Sequence, residues 1–283
     1  MNCEEYAAWA RKLNPIDDAL FKKMAEDMDF CQEIIRVILN DPDLQILELK
    51  DQDSVHNLQG RSVILDARCI DRLGNHITVE VQKSDKDDHQ RRVRYNSSCV
   101  TANITDPGSN FKDVPTLYAI YISANDFFGK GKTTYHVDRI LRETGDIVDN
   151  GFYEIYVNAR NKDGSPTAEL MDIFTKDNAY NEKQFPATSR RKRQFKEGQE
   201  GFQEMSTVME EFREKVIAEG LAQGISQGIT QGITQGITQG ITQGQRQTIF
   251  SLYHDGVLTL PQACRRLELS EEEFLALEPE YQN

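Results

Sequence analysis

The sequence has few cysteines, and their placement excludes two common kinds of stabilised fold. Five cysteines, an odd number, are widely spaced over 283 residues, and no two form a Cys-x-x-Cys pair. Disulfide frameworks need cysteines that pair, and structural zinc sites are commonly built from Cys-x-x-Cys pairs. We therefore expect reduced, mostly buried thiols. The five histidines show no ligand spacing, and the sequence has no Ser-His-Asp arrangement and no phosphate-binding glycine loop.

A long apolar run and an excess of positive charge are also missing. The longest strongly apolar stretch, around residues 117–122, is far shorter than the roughly 20 residues that span a bilayer. The N-terminus has two early glutamates and no apolar signal segment, so we expect a soluble, cytoplasmic protein with no membrane partner. The net charge of -13 disfavours a uniformly basic nucleic-acid binder. The same net charge is compatible with an acidic enzyme whose cleft is locally basic.

The hydrophobic pattern predicts an α/β domain in the first two thirds of the chain. Apolar residues recur at helical spacing between Pro15 and Leu39, and Asn40-Asp41-Pro42 ends that pattern. An arginine-rich helix is predicted over residues 87–102. Strands are predicted at residues 44–49, 62–69, 76–82, 116–123, 135–141 and 152–158. This order predicts a mixed sheet flanked by helices, in a domain that covers residues 14–180.

The composition changes beyond residue 180. We expect a basic linker and a helix over residues 181–219, a Gly-Ile-Thr-Gln repeat over 220–245 and a small helical hairpin over 246–283. The basic residues between Arg190 and Lys196 either clamp DNA or belong to an exposed linker. The repeat is either a flexible linker or a helix that gains stability by homo-oligomerisation. Its seven glycines cost an isolated helix about 6 kcal/mol relative to alanine.

Two acidic residues interrupt segments that otherwise have the composition of core strands. Asp66 follows the apolar residues 63–65, and Glu80 lies within residues 78–82, Thr-Val-Glu-Val-Gln. A buried carboxylate is costly unless it is paired or used. If the turn is centred between residues 72 and 75, antiparallel pairing places Asp66 opposite residues near 81. Asp66 then lies within one pairing step of Glu80 and Gln82, which share one face of their strand.

The chemistry of this pair is open on spacing alone. Two carboxylates held together on a rigid hairpin repel each other and need a cation, and their hard oxygens favour Mg²⁺ or Mn²⁺. The alternative is that both acids face solvent on a half-exposed sheet and pair with Arg68 or Arg92.

The motifs resemble those of a known family. The segments are residues 15–21 (PIDDALF), 60–66 (GRSVILD), 80–82 (EVQ) and 89–95 (HQRRVRY), followed by the glycine-punctuated repeat. Their order and spacing resemble the recombination-promoting nuclease family, also called PD-(D/E)XK nuclease family transposases, over roughly residues 14–180. The resemblance implies a restriction-endonuclease-like core with a helical C-terminal extension. It also implies metal-dependent hydrolysis of DNA phosphodiester bonds, by an endonuclease that serves recombination or a mobile element.

The resemblance also implies roles for particular residues. Asp66 and Glu80 would be ligands of Mg²⁺ or Mn²⁺, with the backbone carbonyl of Val81 as a third. Gln82 occupies the position of the superfamily's lysine, where an amide orients a water molecule but carries no positive charge. Superfamily members often place a further acid of the first helix near the metal, and Glu33 lies on that helix, but we do not include it among the predicted site residues.

The arginine-rich helix would follow the catalytic hairpin, where Arg91, Arg92 and Arg94 would bind DNA phosphates. Alternatively, these arginines form a solvated ion-pair network with the acids at residues 85–88. A second class of function also remains, in which the chain is a catalytically weak DNA-binding or oligomeric scaffold that keeps the nuclease fold.

Overall fold

A computed structural model describes the backbone of residues 12–50, 54–55, 63–84 and 89–281. The chain divides into two compact units, residues 1–212 and residues 213–283. Four cysteines lie in the described part of the chain, and all four are free thiols, three of them buried. Cys3 lies outside the described residues, as do the acids at 85–88 that the sequence offered as partners of the arginines.

Two helices form where the sequence predicts one or two. Helix α1 covers Asp18–Met24 and helix α2 covers Met28–Leu39. The Asp27 side chain caps α2 by accepting a hydrogen bond from the Phe30 N–H at 2.9 Å. Asn40 ends α2 in the left-handed conformation, with φ 52°, which asparagine adopts more readily than most residues. The apolar faces of both helices are buried in the main core.

A six-stranded mixed sheet forms the centre of the first unit. Its order is β1-β4-β5-β6-β8-β7, in which β5, β6 and β8 are parallel neighbours and the other pairs are antiparallel. The strands are β1 Ile46–Lys50, β4 Ala67–Asp71, β5 His76–Gln82, β6 Leu117–Ser123, β7 Thr134–Val137 and β8 Phe152–Asn158, with a separate two-stranded ladder of β2 Ser54–Val55 and β3 Val63–Ile64. The strands predicted at residues 76–82, 116–123 and 152–158 are confirmed to within one residue.

Helices cover both faces of the sheet. Helix α3, His89–Ile104, connects the parallel strands β5 and β6, as parallel pairing requires a crossover. Its Val93 packs with Tyr121 and Tyr156 on one face of the sheet. On the other face, α1 and α2 pack with helix α4, Pro166–Thr175, and helix α5, Pro186–Glu197. The β5 residues therefore alternate between two buried environments.

Three sequence-based expectations are wrong in this unit. The strand predicted at residues 135–141 ends at Val137. The strand predicted at residues 62–69 is two strands, β3 and β4, because Asp66 lies in a bend between them and its carboxylate accepts a backbone hydrogen bond from Val81. The segment from 186 to 197 is a packed helix and not an exposed linker. Phe195 belongs to the main core, and Lys192 is fully buried. The core therefore extends beyond residue 180.

The C-terminal part of the chain is helical. Helix α6 runs over Gln199–His254 and contains the whole repeat, in which the isoleucine side chains from 225 to 241 are 55–57% exposed. In the second unit the end of α6 packs with helix α7, Leu260–Leu267, and helix α8, Glu271–Leu277, around Phe250 and Phe274. In the parts of the chain that the structure describes, we find no helix with the length and apolar content that crossing a membrane requires.

Candidate active site

The hairpin of β4 and β5 brings the two predicted acids to adjacent positions. Ala67 pairs with Val79, so Asp66, immediately before Ala67, lies beside Glu80. The register is fixed at the turn by Asp71, whose carboxylate accepts hydrogen bonds from the N–H groups of Leu73 and Asn75 at 2.8 Å. Gly74 completes the turn with φ +80°, a value that favours glycine.

Asp66 is buried, with 9% of its surface exposed. Its Oδ2 accepts a hydrogen bond from the Val81 N–H at 2.8 Å, and its Oδ1 lies 3.3 Å from the Lys22 Nζ. Burial raises the pKa of the Asp66 carboxyl well above its ordinary value, and the nearby negative charge of Asp18 raises it further. Lys22 and the Val81 N–H act in the opposite direction.

Lys22 links Asp66 to α1. Its Nζ lies 2.8 Å from a carboxylate oxygen of Asp18, one helical turn earlier, and the Lys22 side chain is only 19% exposed. Burial alone would lower the pKa of Lys22, but Asp66 and Asp18 outweigh it and the net shift is upward. Lys22 is therefore charged at neutral pH and lies between two carboxylates.

Glu80 is also buried, with 7% of its surface exposed, and its partners come from α3. Both of its carboxylate oxygens accept hydrogen bonds from the Asn96 Nδ2 at 2.9 Å, and the Arg92 Nε lies 3.5 Å from its Oε2. Burial raises the pKa of the Glu80 carboxyl, although Asn96 and Arg92 oppose that shift. The carboxylate is thus held by two residues of α3.

Gln82 lies on the same face of β5 as Glu80, as strand alternation predicts. The Arg92 guanidinium, which pairs with Glu80, also donates a hydrogen bond to the Gln82 Oε1 at 3.4 Å. The side chain of Val81 points to the other face and is buried in the main core. The alternative in which both acids face solvent is wrong, although its pairing of Glu80 with Arg92 is present.

Two other groups of predicted residues lie as follows. Arg91 and Arg94 are exposed on α3, near the Arg92 that contacts the site. Glu33 does not join the acids, because its carboxylate accepts hydrogen bonds from the Ala187 and Thr188 N–H groups at 3.0 and 2.7 Å and so caps α5. Its role is structural.

The basic residues of α5 are engaged in the fold. Lys192 donates hydrogen bonds to three backbone carbonyls, those of Ile173, Lys176 and Ala179. The other four cations also have partners: Arg190 pairs with Asp29, Arg191 donates to the Lys23 carbonyl, Arg193 pairs with Glu182, and Lys196 pairs with Asp177. Most of these cations are therefore already bound to acidic side chains or backbone carbonyls of the domain.

Sequence reasoning missed three neighbours of the acids: Asp18, Lys22 and Asn96. Helical spacing is a signal for all three. Asp18 and Lys22 are four residues apart on a predicted helix and so share one face, and Asn96 lies four residues after Arg92 on the predicted arginine-rich helix. Within the described residues, no three His, Cys, Asp or Glu side chains come together in a group that could hold a metal ion.

Two small clefts open near the hairpin, and Asp66 lines one of them. One, of about 330 Å³, is lined by Lys22, Glu26, Lys50 and Asp66 among others. The other, of about 280 Å³, lies along the end of β5 and is lined by Asp17, Asp18, Val81, Gln82 and Lys83 among others. The strand ends and α1 thus present both acidic and basic groups to solvent at this edge of the sheet.

The fold and this hairpin define a class of protein: a mixed α/β domain with two buried acids at one end of a central hairpin. The family can be given more closely, because the model of the PD-(D/E)XK nuclease family transposases matches residues 15–172, more than half of the chain. The chain belongs to this family, which confirms the resemblance and the restriction-endonuclease-like fold class. Searches against curated proteins and against solved structures give no match.

Family membership indicates the general function of the domain. The domain is that of a nuclease family associated with mobile elements, in which DNA is the substrate and divalent metal ions are generally used. The roles of Asp66, Glu80, Gln82, Val81 and the α3 arginines stay predictions.

Proposed function

We propose that this chain is a divalent-metal-dependent DNA endonuclease whose active site is the Asp66–Glu80 hairpin. The observation that carries the proposal is the burial of two acids at adjacent hairpin positions, each beside a cation. A fold keeps two such costly groups together when they have a use that apolar residues cannot supply. Recombination or the movement of a mobile element is the process that such a nuclease would serve.

The donor set fits a hard divalent ion. Burial raises the pKa of both carboxyls, so a nearby positive charge stabilises the ionised form of each. Mg²⁺ is commonly bound through one or two carboxylates and completes its octahedral shell with water. Asp66 and Glu80 would hold Mg²⁺ or Mn²⁺, with the Val81 carbonyl as a further oxygen ligand.

The chemistry follows from the residues around the two acids. When bound, the ion would stabilise negative charge on the phosphate and lower the pKa of the attacking water. Gln82 would orient that water through its amide. Arg92 would fix the positions of Glu80 and Gln82, both of which it contacts. Arg91 and Arg94, exposed on the same helix, would bind the DNA backbone.

A specific observation favours the second candidate, a scaffold that keeps the nuclease fold without cutting. Both acids already have cationic partners, Asp66 with Lys22 and Glu80 with Arg92. Such pairs can hold two buried carboxylates in a stable fold with no bound metal. A scaffold of this kind predicts that added metal changes neither the stability of the protein nor the DNA.

The experiment that separates the two is cleavage of supercoiled plasmid by the purified protein, with Mg²⁺, with Mn²⁺ and with a chelator. The variants are Asp66→Asn and Glu80→Gln, which keep side-chain size and remove charge. We expect nicked or linear products only with metal, and only from the wild type. Intact plasmid from the wild type at every metal concentration would leave the scaffold as the function.

We also propose that copies of the chain associate through the repeat in α6. The isoleucines from 225 to 241 are more than half exposed, which is costly for a helix that stays alone in water. Replacing those five isoleucines by glutamine should lower the mass measured by light scattering. A wild type that is monomeric at high concentration would refute this association.

A further inference from the structure

The segment Glu80-Val81-Gln82 of β5 has no positive charge at its third position. Gln82 is half-buried there, and its Oε1 accepts a hydrogen bond from Arg92 at 3.4 Å. The adjacent lysine does not fill the gap. The Lys83 Nζ lies 2.7 Å from the Asp17 Oδ1, and its side chain is largely exposed. The strand itself therefore supplies no ammonium group beside the acids.

A lysine from another element reaches the acids. Lys22, on α1, places its Nζ 3.3 Å from the Asp66 Oδ1, and its charge also acts on Glu80, whose pKa it lowers. The side chain is four-fifths buried and is directed by Asp18, 2.8 Å from the same Nζ. An ammonium group is thus held against the first acid and within the field of the second.

The other cation at the site is less suited to contact the reacting phosphate. Arg92 is 40% exposed, and its guanidinium is used to hold Glu80 and Gln82. Lys22 is a compact point charge that lines the same cleft as Asp66. Lys22 thus lines a cleft together with Asp66, whereas the contacts of Arg92 are those of a positioning residue.

We propose that Lys22 is a catalytic residue that supplies, from α1, the ammonium charge that Gln82 cannot supply from the strand. This inference rests on the proposed function. In the hydrolysis, a water oxygen bonds to phosphorus, the bond from phosphorus to one deoxyribose oxygen breaks, and the leaving oxygen gains a proton for the one that water loses. Lys22 keeps its own proton throughout and stabilises negative charge on the phosphate oxygens.

A rival role for Lys22 makes a different prediction. An ammonium between Asp18 and Asp66 can be a counter-ion that stabilises the metal-free protein and is displaced when metal binds. In that case, removing it should tighten metal binding and leave the chemical step unchanged. The two roles therefore separate when metal affinity and cleavage rate are measured on the same variants.

The test uses Lys22→Met, which keeps an apolar stem and removes the charge. Lys23→Met is the matched control, because Lys23 is the next residue on α1 and pairs only with the exposed Glu26 among the ion pairs of the described residues. Lys22→Met with Gln82→Lys returns an ammonium to the strand. Each protein is assayed for single-turnover plasmid cleavage at saturating Mn²⁺ and, without DNA, for Mn²⁺ affinity by calorimetry.

We expect Lys22→Met to slow cleavage about 100-fold while binding Mn²⁺ as tightly as the wild type or more tightly. The added Gln82→Lys should restore at least about tenfold of that loss, and Lys23→Met should match the wild type. Cleavage by Lys22→Met within threefold of the wild type would overturn the proposal, as would a loss of Mn²⁺ binding that accounts for the slow rate. Failure of Gln82→Lys to rescue a variant that still binds Mn²⁺ would also overturn it.

A further variant covers the case in which Lys22→Met does not fold. Lys22→Gln keeps a neutral hydrogen-bond donor between Asp18 and Asp66 and removes the charge, so its rate at saturating Mn²⁺ should fall as the rate of Lys22→Met does. A folded Lys22→Gln that cuts DNA within threefold of the wild-type rate would refute the role of Lys22. A wild type that cuts no DNA under any condition removes the proposed function and this inference together, whereas an active wild type with an equally active Lys22→Met removes only this inference.

Discussion

The backbone N–H of Val81 donates a hydrogen bond to the Asp66 Oδ2 at 2.8 Å. Asp66 is thereby fixed to the strand that carries Glu80, and the bend between β3 and β4 gives its side chain the room to make this bond. One acid is positioned by the neighbouring strand's backbone and the other by Asn96 on α3. Both acids are thereby fixed in position, which is the preorganisation that the proposed site requires.

The first prediction separates function from stability at this hairpin. Asp66→Asn keeps an acceptor for the Val81 N–H and removes a charge whose folded pKa is raised. A raised folded pKa means that the carboxyl stabilises the fold only at low pH and that this contribution is lost as the pH rises through the folded pKa. At neutral pH, Asp66→Asn should therefore have an equal or higher melting temperature, and this gain should vanish below the ordinary pKa of aspartate.

The control for that prediction is Asp71→Asn, which changes a second buried acid on the same hairpin. Asp71 accepts three hydrogen bonds within the turn, so its replacement should lower stability by about 1–3 kcal/mol. Below its melting temperature, this variant should cut DNA at the wild-type rate. Full activity in Asp66→Asn would contradict the catalytic role of Asp66. No activity in a folded Asp71→Asn would contradict the purely structural role of Asp71.

The second prediction concerns Gln82. A lysine there would compete with the divalent ion for the carboxylates of Asp66 and Glu80, so Gln82→Lys should need more metal to reach its full rate. Gln82→Ala removes the amide that orients water and should lose activity at every metal concentration. The measurement is a Mn²⁺ titration of plasmid cleavage. If both variants match the wild type throughout, residue 82 does not face the site.

The third prediction concerns DNA affinity. Replacing Arg91 and Arg94 by glutamine should weaken binding and reduce the slope of log affinity against log salt by roughly 0.9 for each DNA phosphate that the protein no longer neutralises. Replacing Arg190 and Arg193 should change the slope less, because both already pair with acids of the domain. Fluorescence anisotropy over a salt series measures both slopes. A larger change from the α5 pair would move the DNA interface to that helix.

The fourth prediction follows from Lys192, whose pKa burial lowers to about 8. Its folded pKa lies below the unfolded value of 10.5, so the buried ammonium costs stability below about pH 8 and this cost disappears as the pH rises to 10.5. Relative to Lys192→Met, the wild type should gain on the order of 1 kcal/mol between pH 7 and pH 10 in urea unfolding. Lys176→Met, which changes an exposed lysine, should show no such trend. A flat difference for Lys192→Met would contradict the shift.

The sequence predicts the elements whose pattern is local and misses what depends on packing. Strand β5 has a clear composition, so its bounds and the shared face of Glu80 and Gln82 are predictable. The break at Asp66 is not, because it depends on a hydrogen bond to Val81, fifteen residues away. Lys192 looks like an exposed cation in a basic run, and its burial becomes evident only when the carbonyls that it binds come together in space.

The same limit applies to the site. The two acids stand out because they interrupt apolar strands, whereas Lys22 lies in the last turn of α1, where a lysine is ordinary. Its distance to Asp66 is set by the packing of α1 against the end of the hairpin, which no spacing in the sequence specifies. Glu33 shows the same dependence on packing, because the sequence does not reveal that its carboxylate caps α5.

Whether Asp66 and Glu80 together hold a divalent ion is best decided by a crystal structure of the protein with Mn²⁺, with the ion located by its anomalous scattering. We predict an anomalous peak within roughly 2.5 Å of carboxylate oxygens of both Asp66 and Glu80, and no peak there in crystals of Asp66→Asn. A fully metal-loaded crystal with no peak between these two acids, or with the same peak in Asp66→Asn, would contradict the assignment of the site.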